Sequence, residues 1–249
     1  MQLYGLIGYP LTHSFSKKYF DEKFAKENIK DCEYQLFQIS SIDKFPDLLK
    51  NNPNLQGFTI TIPYKTKILD YIDNSDNIVK KVGATNTVRI KRESGKIILE
   101  AYNTDVYGFE KSIKPLLKEH HKKALILGSG GASKAAEYVF NSLHIEYLIV
   151  SRIPSNNQIS YQDLSKAILE DYNIIINSTP IGTFPNIKEF PDIPYEFVSN
   201  KHLLFDMVYN PSKTEFLRKG KKHGAFIKNG LEMLELQAEA SWKIWNNFK

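Results

Sequence analysis

Apolar positions along this chain fall into short runs separated by amphipathic stretches, and two such series follow one another. In the first, Leu3 to Gly8 is an apolar run closed by Tyr9-Pro10, after which Lys17 to Asn28 carries Tyr19, Phe20, Phe24 and Ala25 at helical spacing. Tyr34 to Ile39 reads as a second strand and Ile42 to Leu49 as a second helix. Gly57 to Ile62 reads as a β-branched third strand that stops at Pro63. Thr87 to Lys91 and Lys96 to Ala101, joined across Ser94-Gly95, have the pattern of a hairpin at the edge of the same sheet. Alternation of strand and helix predicts a mostly parallel sheet whose ligands gather at the carboxyl ends of its strands.

A helix from Asp105 to Leu117, with Val106, Phe109, Ile113, Leu116 and Leu117 on one face, leads into the second series. There Ala124 to Leu127 is a buried strand, followed by a helix from Ala132 to Leu143, a strand from Tyr147 to Val150 and a helix from Tyr161 to Leu169. Ile174 to Asn177, Leu203 to Val208 and Ala225 to Ile227 supply further strands, with a basic helix from Thr214 to Lys222 between the last two. Thr179 to Pro194 reads as a long Pro-rich surface loop. A final helix, Leu231 to Phe248, sets Leu234, Ala238, Trp242 and Trp245 on one face. The expected fold class is therefore α/β in two lobes. Residues 1–104 form one lobe, onto which helix 231–249 packs back, and residues 105–230 form a Rossmann-like second, with a cleft between them.

Composition narrows the classes. A chain of 249 residues, 42% hydrophobic and 24% charged, is long enough for two cores and has no apolar run of the ~18 residues a membrane span needs. The first residues show no basic leader, and one cysteine, Cys32, excludes an internal disulfide and a multi-cysteine metal site, so the expected compartment is cytoplasmic. The net charge of +5 suits an anionic ligand. Its basic clusters, Lys118 to Lys123 and Arg218 to His223, have no interleaved aromatics for base stacking, which disfavours nucleic acid.

The candidate chemistry begins at Gly128-Ser129-Gly130-Gly131-Ala132-Ser133, a tight turn that opens a helix directly after a strand. Glycines there let bare backbone approach a ligand, and the helix N-terminus favours a phosphate. Arg152, at the end of the next strand where an acidic residue would take a ribose 2′-hydroxyl, favours a 2′-phosphate and hence NADP. Ser14 and Ser16 flank Phe15 before a helix, and suit either a small carboxylate or plain helix capping; His13 beside them is an ordinary loop histidine. Thr61-Ile62-Pro63-Tyr64-Lys65 places an amine at the carboxyl end of the first sheet, where it can polarise a carbonyl or act as general acid or base. Ala84 to Thr87 and Tyr102 to Asp105 bracket the hairpin and offer an amide, hydroxyls and a carboxylate to a polyhydroxylated substrate.

Taken together and in order, these segments resemble the shikimate dehydrogenase family over nearly the whole chain. Gly8 to Ser16 is similar to its G-x-P-x-x-H-S-x-S opening, Thr61 to Lys65 to T-x-P-F/Y-K, Gly83 to Thr87 to G-A-x-N-T, and Asn103 to Asp105 to N-T-D. Gly128 to Ser133 is similar to G-x-G-G-A-S, Ile176 to Gly182 to I-N-A/S-T-P-x-G, and Asp206 to Tyr209 to D-x-x-Y. The resemblance implies NADPH-dependent, reversible reduction of 3-dehydroshikimate to shikimate, the fourth reductive step of the shikimate pathway toward aromatic amino acids. It implies a substrate carboxylate held by Ser14, Ser16 and Tyr209, and ring hydroxyls held by Thr61, Lys65, Asn86, Asp105 and Gln237, with Lys65 and Asp105 as the catalytic pair. Gly128, Gly130, Gly131, Ala132 and Ser133 would cradle the pyrophosphate, Arg152 would meet the 2′-phosphate, and Met207, Gly230 and Met233 would pack the nicotinamide. No metal is implied, and the expected assembly is a monomer or homodimer.

The chain departs from the family pattern in three places. Ser151-Arg152-Ile153-Pro154-Ser155-Asn156 lacks the second arginine of N-R-T-x-x-R, with Lys134 placed to compensate by charge; Lys17 replaces a proline, and Val106 a glycine. The first departure leaves open a quinate/shikimate dehydrogenase with relaxed NAD or NADP use. A non-catalytic dinucleotide sensor is the alternative from another class, although it has no need of both Lys65 and Asp105.

Overall fold

The computed structural model describes residues 1–11, 14–155 and 157–247. The expectations for His13, Asn156 and Phe248 lie outside those residues. Two compact units divide the chain: residues 1–104 with 237–249, and residues 105–236.

The first unit opens with β1 (Gln2–Gly8), α1 (Phe15–Lys26), β2 (Cys32–Gln38), α2 (Phe45–Asn51) and β3 (Leu55–Ile60). It continues through β4 (Asn74–Ser75), α3 (Asn77–Val82), β5 (Thr87–Glu93) and β6 (Lys96–Tyr102). Among the described residues these strands form a six-stranded sheet in the order β2-β1-β3-β5-β6-β4. β1 runs parallel to both β2 and β3, whereas β5 is antiparallel to β3 and β6. The hairpin turns at Ser94 and Gly95, with φ of 51° and 78°, the pair of positive values that matches the twist of the flanking strands. It does not end the sheet as expected, because β4 pairs with β6 beyond it.

An apolar run such as Leu3 to Ile7 buries both faces. Leu3 and Ile7 join a core with Leu55, Phe58 and Val88, while Tyr4 and Leu6 join another with Phe20, Phe24, Tyr34, Ala238, Trp242 and Trp245. The second of these cores is aromatic: Phe20 stacks on Tyr34 at 4.5 Å and Tyr4 on Trp245 at 5.0 Å between centroids.

The second unit holds β7 (Lys123–Leu127), α5 (Gly131–Ser142), β8 (Glu146–Val150), β9 (Gln158–Ile159), α6 (Lys166–Asp171) and β10 (Ile174–Asn177), then β11 (Leu203–Asp206), α7 (Glu215–Lys222) and β12 (Phe226–Asn229). The sheet order is β12-β11-β10-β7-β8-β9, and every pairing is parallel. β7 neighbours both β8 and β10, so the strand order reverses at the β7/β10 boundary, the place where open parallel sheets bind ligands. Phe109 packs edge-on against Phe140 and Phe205 over one face, while Leu125, Leu127, Ile175 and Leu204 join Phe216 and Leu217 over the other.

α4 (Thr104–Ile113) and α8 (Leu231–Trp245) each run across a unit boundary. The expected helix from Tyr161 to Leu169 is broken. A 3-10 turn, Tyr161–Asp163, closes on a reciprocal Ser160–Asp163 capping box, and Ser165 then caps α6 afresh through Ile168 N–H.

Candidate functional site

In the first unit the strand order reverses at the β1/β3 boundary, and the residues after those strands run side by side. Thr61 N–H donates to Ile7 O at 2.9 Å, and Tyr9 N–H donates to Ile62 O at 3.1 Å. A Cβ at Gly8 would stand 2.4 Å from the Thr61 methyl, so only glycine allows this approach. Beyond β1, Ser14 caps α1, its Oγ accepting Lys17 N–H at 3.3 Å. Ser16 is buried and hydrogen-bonds Tyr34, whose phenol is pushed up by burial against the opposing hydroxyls of Thr59 and Ser16.

Lys65 lies on the turn after β3, where its carbonyl accepts Thr85 N–H at 2.8 Å. The two ends of the hairpin do lie together. Asn86 O accepts Ile60 N–H at 2.8 Å, and Asn86 Oδ1 accepts Thr104 N–H at 2.7 Å, fixing the first residue of α4 immediately before Asp105. Asn86 Nδ2 donates to Gln237 Oε1 at 3.3 Å. Thr87, Thr104 and Ser241 complete a buried hydroxyl cluster, with Thr87 and Ser241 2.7 Å apart. Asn86 and Gln237 are thus seated in one network with three hydroxyls that the reading of the sequence did not single out, although Thr87 and Thr104 stood in its motifs. Ser241 is separated from Thr87 by 154 residues and carries no local signal. Asp105 is buried in the first turn of α4, where a helix dipole favours a carboxylate.

In the second unit Gly128 has φ +103°, a left-handed value that favours glycine, and a Cβ there would stand 2.7 Å from the Thr179 methyl. Gly130 is the N-cap of α5 with no side-chain cap, and a Cβ built on it meets nothing within 4 Å. The helix N-terminus therefore opens onto free space, where an anion can approach its N–H groups. Ser133 is fully buried, its hydroxyl donating to Gly130 O at 2.7 Å, so its part is to brace the turn. Arg152 is exposed just past β8, and Ser151 Oγ donates back to Ile153 O at 3.1 Å.

Met207 and Tyr209 follow β11, both half-buried. A Cβ at Gly230 would stand 2.3 Å from Met207 O, so that glycine lets the start of α8 press on the Met207 backbone. Asp206, which the D-x-x-Y motif contained but to which no role was given, is fully buried. It accepts from Asn177 Nδ2 at 2.9 Å, Val208 N–H at 3.0 Å and Thr214 Oγ1 at 2.5 Å. Burial pushes its carboxyl up to about 6 in spite of those donors.

Residues 6–88 match the family model described as the shikimate dehydrogenase substrate binding domain. A relative from Methanococcus vannielii, named shikimate dehydrogenase (NADP(+)), is 34% identical over 99% of this chain and 92% of its own length. The chain belongs to the shikimate dehydrogenase family. A crystal structure of shikimate dehydrogenase 1 from Peptoclostridium difficile is 36% identical, with a TM-score of 0.86 over 100% of this chain and 93% of the other. The Listeria monocytogenes shikimate 5-dehydrogenase, solved in complex with shikimate and NAD, is 26% identical with a TM-score of 0.84, covering 99% and 92% of the two chains. The two-unit α/β architecture is therefore that of the family. Among the described residues no helix is long and apolar enough to cross a membrane, and no group of three potential metal ligands is found.

Proposed function

We propose that this protein is an NADP-dependent shikimate dehydrogenase, the oxidoreductase that interconverts 3-dehydroshikimate and shikimate. The observation that carries the reading is the set of polar groups at the carboxyl end of the first sheet: Lys65 on a turn pinned to Thr85, beside an Asn86 tied to Gln237 and to the residue before Asp105.

NADPH, when bound, supplies the hydride to the ring carbonyl carbon. The developing alkoxide then needs a proton, and the Lys65 ammonium is the group that gives it, with Asp105 as its acid–base partner; such general acid catalysis contributes roughly 10²–10⁴-fold. Ser14, Ser16 and Tyr209 hold the substrate carboxylate, and Thr61, Asn86 and Gln237 hold ring hydroxyls. On the cofactor side Gly128, Gly130, Gly131 and Ala132 offer backbone to the pyrophosphate while Ser133 braces them. Arg152 would meet the 2′-phosphate, and Met207 and Gly230 would pack the nicotinamide. A single half-buried cysteine fits a reducing compartment, and we place the enzyme in the cytoplasm as a monomer or homodimer.

The test is an assay of purified protein with shikimate and either NADP or NAD, following reduced cofactor by absorbance. Turnover with NADP is expected, and its absence with both cofactors overturns the reading.

A further inference from the structure

Asp206 is a fully buried carboxylate that the proposed chemistry does not use, and its three donors come from three different segments at the carboxyl end of the second sheet. Val208 N–H belongs to the segment after β11, between Met207 and Tyr209. Asn177 ends β10. Its Oδ1 accepts from Thr179 N–H at 3.1 Å and Thr179 Oγ1 at 2.6 Å, and its backbone O accepts Met207 N–H at 3.0 Å. Thr179 is the residue whose methyl stands against Gly128 on the phosphate turn. Thr214 is the N-cap of α7, and it also packs toward Gly182, 3.7 Å from the Cβ that position lacks.

A chain of contacts within one unit thus runs from Asp206 through Asn177 and Thr179 to Gly128, and directly from Asp206 to the backbone between Met207 and Tyr209. A carboxylate with several acceptor sites can satisfy all three donors at once. An amide in its place would turn one donor-facing position into a second donor. A buried polar group costs folding free energy unless it is fully bonded, so an apolar packing residue would serve stability alone equally well.

We propose that Asp206 is a positioning residue for cofactor binding: it holds the Thr179 and Met207–Tyr209 segments in the register that shapes the cofactor side of the second unit. The inference rests on the reading of Gly128 and Met207 as cofactor contacts.

The experiment measures NADP Kd by fluorescence quenching in Asp206→Asn, Thr214→Val and Thr214→Ser, each at a temperature where circular dichroism shows it folded. A core truncation, Val198→Ala, serves as a control for lost stability. Asp206→Asn and Thr214→Val should raise the Kd about tenfold, the scale of one lost hydrogen bond to a charged group, whereas Thr214→Ser, which keeps the hydroxyl, should stay within about twofold of wild type. Wild-type affinity in both Asp206→Asn and Thr214→Val overturns the proposal. So does an equal loss of affinity in Val198→Ala, which would make the effect one of stability. If Asp206→Asn does not fold, the Thr214 pair decides. Wild-type protein that binds NADP yet leaves shikimate unoxidised would sink the proposed function and leave this test standing.

Discussion

At Gly8 and at Gly128 the two units solve one packing problem. A strand ends, the neighbouring strand on the other side of the reversal leads into a threonine, and the missing Cβ lets the methyl in, at 2.4 Å from the built position in one case and 2.7 Å in the other. Beyond the glycine the two units part ways. In the first, the neighbouring segments carry side chains, among them Ser14, Ser16, Thr61, Lys65 and Asn86. In the second the segment is Ser129-Gly130-Gly131, which presents backbone. On the proposed reading, the side chains of the first unit discriminate hydroxyls and supply the proton donor Lys65, and the bare backbone of the second grips phosphate by N–H groups and a helix dipole. The same α/β reversal thus presents side chains in one unit and backbone in the other, and the residues after the glycine make the difference.

The largest expected effect breaks or keeps that division. Lys65→Met should lower kcat about 10²–10⁴-fold while NADP Kd stays within about twofold, because Lys65, the proposed proton donor, belongs to the first unit. A variant turning over at near-normal rate would remove Lys65 from the chemistry. Next, Arg152→Ala should raise KM for NADP about tenfold or more and leave KM for NAD nearly unchanged, since only NADP has the 2′-phosphate proposed as its partner. Equal rises for both cofactors would show that Arg152 does not read the 2′-phosphate.

A smaller effect separates the two glycines. Gly8→Ala and Gly128→Ala should each cost roughly 1–3 kcal/mol by overpacking, seen as a lower Tm. Removing the opposing methyl with Thr61→Ser should recover much of the loss at Gly8. Thr179→Ser should recover little at Gly128, where φ of +103° strains any side chain. Equal recovery at both sites would mean that steric contact, and not backbone conformation, sets both glycines.

The smallest effect is on pH. Burial holds the imidazoles of His121 and His202 below their ordinary value, and each has a nitrogen that must accept a backbone N–H, from Lys118 and Ser199. The unfolded state therefore binds protons first, and the second unit loses stability as pH falls below about 6.5. Asp206 works in the opposite sense: its raised carboxyl takes up a proton near 6 in the folded state, and partly offsets the loss. In the first unit the ion-paired Glu100 and Glu239 are held below the usual carboxylate range, so their contribution fades only below that range. Hydrogen exchange corrected for intrinsic rates should show β10 and β11 losing protection between about pH 7 and 5.5 while β1 and β3 keep theirs. The reverse order would refute the assignment.

The strands were legible because buried parallel strands are short apolar runs, and Ala124 to Leu127 needed a single residue added to become β7. Short elements were not. α3 is six residues with two lysines and only Val79 and Val82 buried, too little periodicity to notice, and β4 and β9 are two residues each. The motif residues of the site were legible as local clusters. Several of their partners were not: nothing near Thr87 in sequence points to Ser241, and nothing in Asp206-Met207-Val208-Tyr209 says that the aspartate faces inward to Asn177 and Thr214. Such pairings are set by tertiary packing, which a linear pattern does not encode.

α8 also bears on how the chain is made. Trp242 and Trp245 fill the core behind β1, and Trp245 Nε1 donates to Val88 O at 3.0 Å, while Gly57 leaves room for its indole ring. A ribosome delivers residues 1–104 early and these two indoles only after the whole of the second unit, contiguous from 105 to 236. The first sheet therefore emerges with one face covered only in part, by Phe20 and Phe24 of α1, and the second unit is complete before the first can close. In this protein the order of synthesis and the order of completion are reversed.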